Sequence, residues 1–338
     1  MKAAVFGMAR QLEVKEADDP KMNGGQVLIR VKKAAICGSD KHSWEDGSGY
    51  NSILGHEYAG VVLDPGSRTD LKVGDRVTSV TQNPCGRCNY CKEGNDHICS
   101  ANGNFPGGPG MPGVFAEKFA ARSDLVIKLA DNVSVTNGAL AEPVSVCWHA
   151  LKKSGLKPGG KLLIHGVGAL TAFTAQLAKA VGASMVVAVG GSQKRAQALL
   201  DNGDLDLFVK SGESGFYSKM MEASGGGFDA FIDNKGGAKG LNECMAVLKK
   251  GRIGVCVGLD SHDVDRFNLF DLTMSDSFLS GSYAYSIAEF KEVLEMMADG
   301  KIDPEKYAGR TFPLDQTQEA FLYVDARSTL DLKVFLEP

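Results

Sequence analysis

The stretch LLIHGVGALTAFTAQLAKAVG, Leu162 to Gly182, decides the fold. Leu162, Leu163 and Ile164 form a short apolar run, and Gly166 and Gly168 follow it. Leu170, Phe173, Thr174, Leu177, Ala178 and Val181 then recur at helical spacing until Gly182 stops the pattern. A strand, a Gly-x-Gly turn and a helix in that order bring backbone amides and a helix N-terminus to one point, which suits a pyrophosphate. The turn runs Gly166, Val167, Gly168, Ala169, Leu170, and its two glycines are the phosphate-facing positions. Thr171 stands where the third glycine of G-x-G-x-x-G belongs, so the helix must sit slightly displaced or meet a small neighbour there.

Downstream, strand patterns at Met185 to Val189, Leu205 to Val209, Phe228 to Asp233 and Arg252 to Val257 alternate with helical ones, beginning with Ser192 to Leu200. That alternation implies a doubly wound parallel sheet. Its second strand should end in a carboxylate for the adenosine ribose, yet Gly190 takes that place. Without the charge a 2′-phosphate is not repelled, and Ser192, Lys194 and Arg195 can pair with one. The expectation is NADP(H) in preference to NAD(H); the plainer alternative leaves Lys194 and Arg195 facing solvent.

The first 140 residues differ in texture. Short runs at Val27 to Val31, Tyr58 to Leu63 and Arg76 to Val80 are separated by Gly, Pro, Asp and Asn, a β-rich pattern. GNFPGGPGMPG, Gly103 to Gly113, reads as an irregular loop, either a linker or a wall of a substrate cleft. The helix Ile287 to Ala298 opens a tail of mixed pattern. The division is a β-rich region 1–143, an α/β region 144–280 and a segment 281–338 that returns to the first.

Composition narrows the partners. With 338 residues, 37 Lys+Arg, 41 Asp+Glu and net charge −4, the chain suits two domains and neither nucleic acid nor an anionic membrane. No apolar stretch approaches the ~20 residues that cross a bilayer. Nor does MKAAVFGMAR carry a signal peptide, so the expected place is the cytoplasm, where eight cysteines are thiols or metal ligands.

Four of them, Cys85, Cys88, Cys91 and Cys99, are spaced C-x2-C-x2-C-x7-C, with Pro84, Gly86 and Gly94 for the turns. Four thiolates so close in sequence can close around one structural zinc ion, although the spacing alone also admits an iron–sulfur cluster. A second set is dispersed: Cys37-Gly38-Ser39-Asp40-Lys41-His42, Gly55-His56-Glu57, and Glu142 in GALAEP. Singly, these read as a buried thiol, an exposed turn and a helix start.

Together, in this order, the motifs CGSDKH (Cys37 to His42), GHEYAGVVLDPG (Gly55 to Gly66), the four-cysteine lobe, GALAEP (Gly138 to Pro143) and the glycine turn resemble the zinc-dependent medium-chain dehydrogenase/reductase family, and most of all its polyol (sorbitol-type) branch. The resemblance implies a GroES-like catalytic domain joined to a Rossmann domain, with the active site in the cleft between them. It implies two zinc ions per chain, the catalytic one on Cys37, His56 and Glu142, with Glu57 either a direct ligand or a neighbour exchanging with Glu142. Ser39 and His42 would relay the alcohol proton to solvent by way of the cofactor ribose, and Val257, Gly258 and Leu259 would line the nicotinamide. The other histidines, His97, His149, His165 and His262, match no ligand position and read as structural or surface. Thr311 stands where the branch commonly has an arginine before Phe-Pro-Leu, and Arg310 is one place earlier.

The implied reaction is hydride transfer between a secondary alcohol, polyol or sugar-acid-like, and NAD(P). Trp44, Tyr50, Phe105 and Phe115 are the pocket candidates. Alternatives are a threonine-type or simple secondary-alcohol dehydrogenase, or a catalytically silent, zinc-stabilised nucleotide-binding protein. The family also implies a homodimer or homotetramer and a small-molecule alcohol or ketone as the partner.

Overall fold

A computed structural model describes residues 1–101, 105–108, 110–258, 266–326 and 330–338. Its strands in chain order are Lys2–Phe6 (β1), Leu12–Glu16 (β2), Gln26–Ala35 (β3), Glu57–Asp64 (β4), Arg76–Ser79 (β5), Lys118–Arg122 (β6), Val126–Lys128 (β7), Lys161–His165 (β8), Met185–Gly190 (β9), Leu207–Lys210 (β10), Phe228–Asp233 (β11), Leu248–Cys256 (β12), Phe278–Gly281 (β13), Ala308–Pro313 (β14) and Lys333–Glu337 (β15). The helices are Gly38–Asp46 (α1), Asn89–Lys92 (α2), Val135–Lys153 (α3), Ala169–Ala180 (α4), Gln193–Asp201 (α5), Phe216–Ser224 (α6), Ala238–Ala246 (α7), Leu269–Met274 (α8), Ile287–Ala298 (α9) and Thr317–Asp325 (α10). The chain divides into two compact units, Met1–Pro143 with Ser286–Pro338, and Val144–Tyr285.

The first unit is built on a sheet of order β14-β15-β3-β4-β5-β7, with β6 also pairing β3. Apart from the parallel pair β14·β15 the ladders are antiparallel, and β3 alternates buried and accessible positions as a half-covered strand must. Its core gathers Trp44, Tyr58, Phe115, Phe119 and Phe321. The ring of Phe321 meets those of Phe6, Trp44 and Phe115 at 5.3, 5.7 and 6.0 Å. The C-terminal strand β15 lies beside β3, pairing Phe335 with Ala35 and Leu336 with Ala34, so the last residues of the chain run along the start of the CGSDKH segment.

The second unit is a six-stranded parallel sheet of order β10-β9-β8-β11-β12-β13. Strands β8, β9 and β11 are buried almost end to end, because helices cover both faces of such a sheet. Counting from β8, the order is 3-2-1-4-5-6, and the chain switches direction across the sheet between β8 and β11. Ligands of doubly wound sheets bind outside the carboxyl ends at that switch, which is where Gly166 follows β8. Among the described residues no helix is long and apolar enough to cross a membrane.

Candidate active site

Cys37 sits at the end of β3 as the N-cap of α1. Its backbone N–H donates to Asp40 Oδ2 at 3.0 Å, and Gly55 N–H donates to Asp40 Oδ1 at 3.2 Å. The same oxygen lies 3.7 Å from His56 Nδ1, so one buried carboxylate ties the helix start to the Gly55 turn and sets a negative charge beside the imidazole. Glu57, the first residue of β4, is 1% exposed. Lys333 of β15 donates to its Oε1 at 2.6 Å and lies 2.5 Å from its Oε2.

Cys37, His56 and Glu57 each offer a ligand atom within 4.8 Å of the others. Burial opposes a charge on His56, yet Asp40, Cys37 and Glu142 outweigh it and raise its pKa well above the ordinary value. Lys333 behaves alike: burial opposes its charge, and Glu57, Cys37 and Glu142 overcome that opposition. A half-buried thiol, an imidazole and carboxylates in one place suit a divalent cation of the zinc type. Glu142, buried in α3 one residue before Pro143, is the carboxylate whose field both His56 and Lys333 feel.

The four-cysteine lobe fits a metal on geometry. Cys85, Cys88, Cys91 and Cys99 bring one sulfur each within 4.8 Å, with Cys88 Sγ 3.5 Å from Cys91 Sγ and 3.8 Å from Cys99 Sγ. A zinc–sulfur bond of about 2.3 Å makes a tetrahedron whose edge is about 3.8 Å. A disulfide needs about 2.05 Å, so these are thiols poised around a common centre. Backbone N–H groups of Cys91 and Ser100 pull the Cys88 thiol down to about 5, while burial and the neighbouring thiols push Cys91 up to about 12.

In the second unit Gly166 adopts φ +116°, a conformation that an L side chain resists. Around the position a Cβ would take there stand Thr171 Oγ1 at 3.4 Å, Lys235 Cβ at 3.7 Å and Asn234 Cβ at 3.8 Å. Thr171 therefore packs against a glycine, the small neighbour that its bulk requires. Thr171 Oγ1 and Asn234 Oδ1 are buried without a hydrogen-bond partner, and Gly168 N-caps α4 with nothing near its Cβ position. This open cradle of backbone and unspent polar atoms suits a nucleotide phosphate.

Gly190 ends β9, and a Cβ there would stand 3.2 Å from a methyl of Val167. Ser192 caps α5 by accepting the N–H of Arg195 at 3.4 Å, a local role in addition to any ligand. Lys194 is exposed and Arg195 half-buried. The amides of Val257 and Gly258 both donate to the carbonyl of Asp233 at 2.9 Å; Leu259 and His262 lie outside the described residues.

The pocket candidates separate. Trp44 and Phe115, expected to line the pocket, are core side chains at 1% and 0% exposure: the aromatic cluster around Phe321 claims both. Tyr50 is an exposed residue of a depression shared with Arg10, Asn51 and Gln318. Phe105 stands at the site, its ring edge-on to His56 with centroids 6.3 Å apart. Ser39 and His42 are exposed, three residues apart on α1, and His42 Nδ1 is 3.7 Å from Glu45 Oε2. Arg310 is spent on aromatic rings, its guanidinium 4.7 Å from the centre of Tyr323 and 5.7 Å from that of Phe312.

Sequence reasoning missed Asp40, Lys333 and a buried pair in the second unit. There His165 Nδ1 lies 2.8 Å from Asp233 Oδ1, which also accepts the N–H groups of Lys235 and Gly236. Burial would raise the Asp233 carboxyl, but His165 and those amides outweigh it and hold its pKa down. Asp40 had a local signal, an acid at N3 of a helix start. Lys333 showed only as a lone cation in an apolar terminal strand, and His165 had no signal.

Fold and site together define a zinc-type dehydrogenase. Residues 23–131 match the alcohol dehydrogenase GroES-like domain, and residues 156–299 match the zinc-binding dehydrogenase family. The chain belongs to this medium-chain, zinc-dependent alcohol and polyol dehydrogenase family and is an oxidoreductase. It is 30% identical over 327 residues to the sorbitol dehydrogenase of Bacillus subtilis (95% of this chain, 92% of that protein). It is 30% identical over 311 residues to the probable D-xylulose reductase A of Aspergillus clavatus (89% and 86%). The alcohol dehydrogenase of Thermus sp. ATN1 superposes with TM-score 0.91 at 26% identity, covering 100% of this chain and 99% of the other.

Proposed function

We propose that the enzyme interconverts a polyol-like secondary alcohol and its ketone, exchanging the hydride with NADP(H). One zinc ion is held by Cys37 and His56 with Glu57 or Glu142 as the third ligand, and a second by Cys85, Cys88, Cys91 and Cys99. The observation that carries this reading is the meeting of the half-buried Cys37 and His56 with the buried Glu57, their donor atoms within 4.8 Å of one another and Asp40 beside them. Bound there, zinc supplies a Lewis acid that lowers the pKa of the alcohol toward neutrality.

Three protein ligands leave one position open for the substrate oxygen. Asp40 sets its charge beside the ring of His56, and the ring of Phe105 stands edge-on to it. Ser39, in the first turn of α1, would take the proton released by the alcohol and pass it by way of the cofactor ribose to His42 on the same helix, which hands it to solvent. The turn from Gly166 to Leu170 binds the pyrophosphate, while Val257 and Gly258 border the nicotinamide. Gly190, lacking a carboxylate, with Ser192, Lys194 and Arg195 beside it, supports NADP(H) over NAD(H). The sorbitol dehydrogenase and D-xylulose reductase relatives support a polyol or ketose substrate.

The edge strand β13 and α8 expose Phe278, Phe270, Leu269 and Met274, an apolar face that supports a homodimer or homotetramer. The cytoplasm is supported by eight cysteines that are all free thiols. The test is an absorbance screen over polyols, aldonates, sugar phosphates and hydroxy amino acids with both nicotinamide cofactors, with metal analysis of the same protein. Two zinc ions per chain and turnover of secondary polyols are expected; one zinc and no turnover would overturn the reading.

A further inference from the structure

A cation stands without an anion at the carboxyl edge of the parallel sheet. Lys239 is the second residue of α7, and among the described residues no carboxylate lies at salt-bridge distance from it. Glu243, one turn on, is its nearest acid along the helix surface, at the i,i+4 spacing where such pairs form. Both oxygens of Glu243 are spent elsewhere: Oε2 accepts the hydroxyl of Ser211 at 2.8 Å, and Oε1 accepts the N–H of Gly212 at 2.9 Å. An ammonium in the first turn also faces the positive end of the helix dipole, where an acid is the favoured residue. Neither its neighbour nor its helix accounts for the charge.

The turn after β10 shows where that ammonium lies. Gly212 has φ +76°, and a Cβ there would stand 2.3 Å from Lys239 Nζ and 3.2 Å from its Cε. The bare backbone of Gly212 is what lets the ammonium rest against the turn. Ser211, the residue before it, donates its N–H to the carbonyl of Gly190 at 3.0 Å, and Lys210 stands opposite Gly190 in the register of β10 and β9. The cation therefore approaches the end of β9 from the β10 side. Ser192, Lys194 and Arg195 follow Gly190 directly, at the start of α5. Two separate helices thus bring positive charge to one strand end, and Gly190 puts no side chain there.

We propose that Lys239 is a specificity-determining residue that binds the 2′-phosphate of NADP(H), its ammonium meeting the phosphate from the β10 side while Ser192, Lys194 and Arg195 meet it from α5. The inference rests on the NADP(H) reading above and deepens it. It adds a contact that chain order hides, because α7 follows β11 whereas the expected phosphate residues follow β9. Glu243 acts through Ser211 and Gly212: it holds the turn that seats the ammonium, and those two bonds keep it from neutralising Lys239. A phosphate carries charge for more than one cation, whereas a 2′-hydroxyl carries none, so Lys239 discriminates between the two cofactors.

The test measures binding of adenosine 2′,5′-bisphosphate and of 5′-AMP, which differ only in the 2′-phosphate, to the full zinc-loaded chain by calorimetry. Wild type, Lys239→Gln and Lys239→Arg are compared, with fluorescence titrations of NADPH and NADH alongside. Lys239 is exposed, so both variants keep the fold. In Lys239→Gln the bisphosphate and NADPH bind about tenfold more weakly, while 5′-AMP and NADH change by less than about twofold. Salt then weakens binding of the bisphosphate less steeply than in wild type. Lys239→Arg, which keeps the charge, stays within about threefold of wild type for both bisphosphate and NADPH. Unchanged binding of the bisphosphate to Lys239→Gln would overturn the proposal. So would an equal loss for bisphosphate and 5′-AMP, which would assign Lys239 to the part of the nucleotide they share. Wild type that binds 5′-AMP as tightly as the bisphosphate overturns the NADP(H) reading, and this inference with it; a wild-type preference for the bisphosphate that Lys239→Gln retains in full overturns the inference alone.

Discussion

Gly190→Asp restores the carboxylate that a ribose-binding strand end ordinarily carries, and the structure sets the size of the effect. The new Cβ meets Val167 methyls at 3.2 and 3.3 Å, so Val167 must yield by a few tenths of an ångström, at a cost of about 1 kcal/mol or less. A carboxylate about 5 Å from a 2′-phosphate charge, at an effective dielectric near 20, is repelled by about 3 kcal/mol. Solvent screening at the mouth of the site reduces that to about 1.5–3 kcal/mol, roughly a 10- to 100-fold loss in kcat/KM with NADP. With NAD the same carboxylate accepts a hydrogen bond from the 2′-hydroxyl, a gain of about tenfold. The assay is steady-state kinetics with both cofactors, backed by direct cofactor binding, with Gly190→Ala as the control for the Cβ alone. The reasoning fails if wild type uses NAD as well as or better than NADP, or if the NADP/NAD ratio of Gly190→Asp stays within about threefold of wild type.

Asp40→Asn keeps the shape but weakens the hold on His56, and zinc affinity at the catalytic site should fall about 10- to 100-fold in chelator competition. Thr171→Val replaces a buried hydroxyl that has no partner by a methyl, so thermal unfolding should show stability unchanged or raised by about 1 kcal/mol. Asp233→Asn breaks the buried pair with His165 and should cost about 3–5 kcal/mol at neutral pH in denaturant unfolding. The Asp233 carboxyl is held below its unfolded value, so its contribution is present above about pH 4 and is lost as pH falls through the folded value. The stability gap between wild type and Asp233→Asn should therefore narrow below about pH 4, and a gap that widens there contradicts the assignment.

What the sequence made legible was local. The run Leu162 to Gly182 needed only its own periodicity to declare strand, turn and helix, and the structure has β8, Gly166 and α4 in those places. Cys85, Cys88, Cys91 and Cys99 lie within one short lobe, so spacing alone forecasts their convergence. Phe278–Gly281 escaped notice because it is a four-residue strand with three of its positions exposed, and neither periodicity nor burial marks such an edge. Trp44 and Phe115 were misjudged for a related reason. Aromatic residues near a catalytic motif can face ligand or core, and only the arrival of Phe321 from near the other end of the chain settles the matter.

The polar pairings that escaped the sequence share one physical cause. Lys333 and Glu57 are 276 residues apart, and His165 and Asp233 are 68 apart; each pair exists because a sheet register places two strand ends together. A lone lysine in the terminal pattern Leu332-Lys333-Val334-Phe335-Leu336 reads as a solvent-facing position of an edge strand. It is not on an edge: β15 has β14 on one side and β3 on the other, and Lys333 is buried beside Glu57. Burial of an ammonium is costly unless an anion meets it, so the position of β15 demands a carboxylate on a neighbouring strand, and Glu57 supplies it. The demand runs the other way as well, since Glu57 at 1% exposure would be a buried charge without that cation. The tail that looked like a return to the first region is thus the segment that brings the cation to the candidate zinc site. Removing the last six residues, Lys333 to Pro338, takes away β15 and the partner of Glu57 together, so denaturant unfolding should show a clear loss of stability.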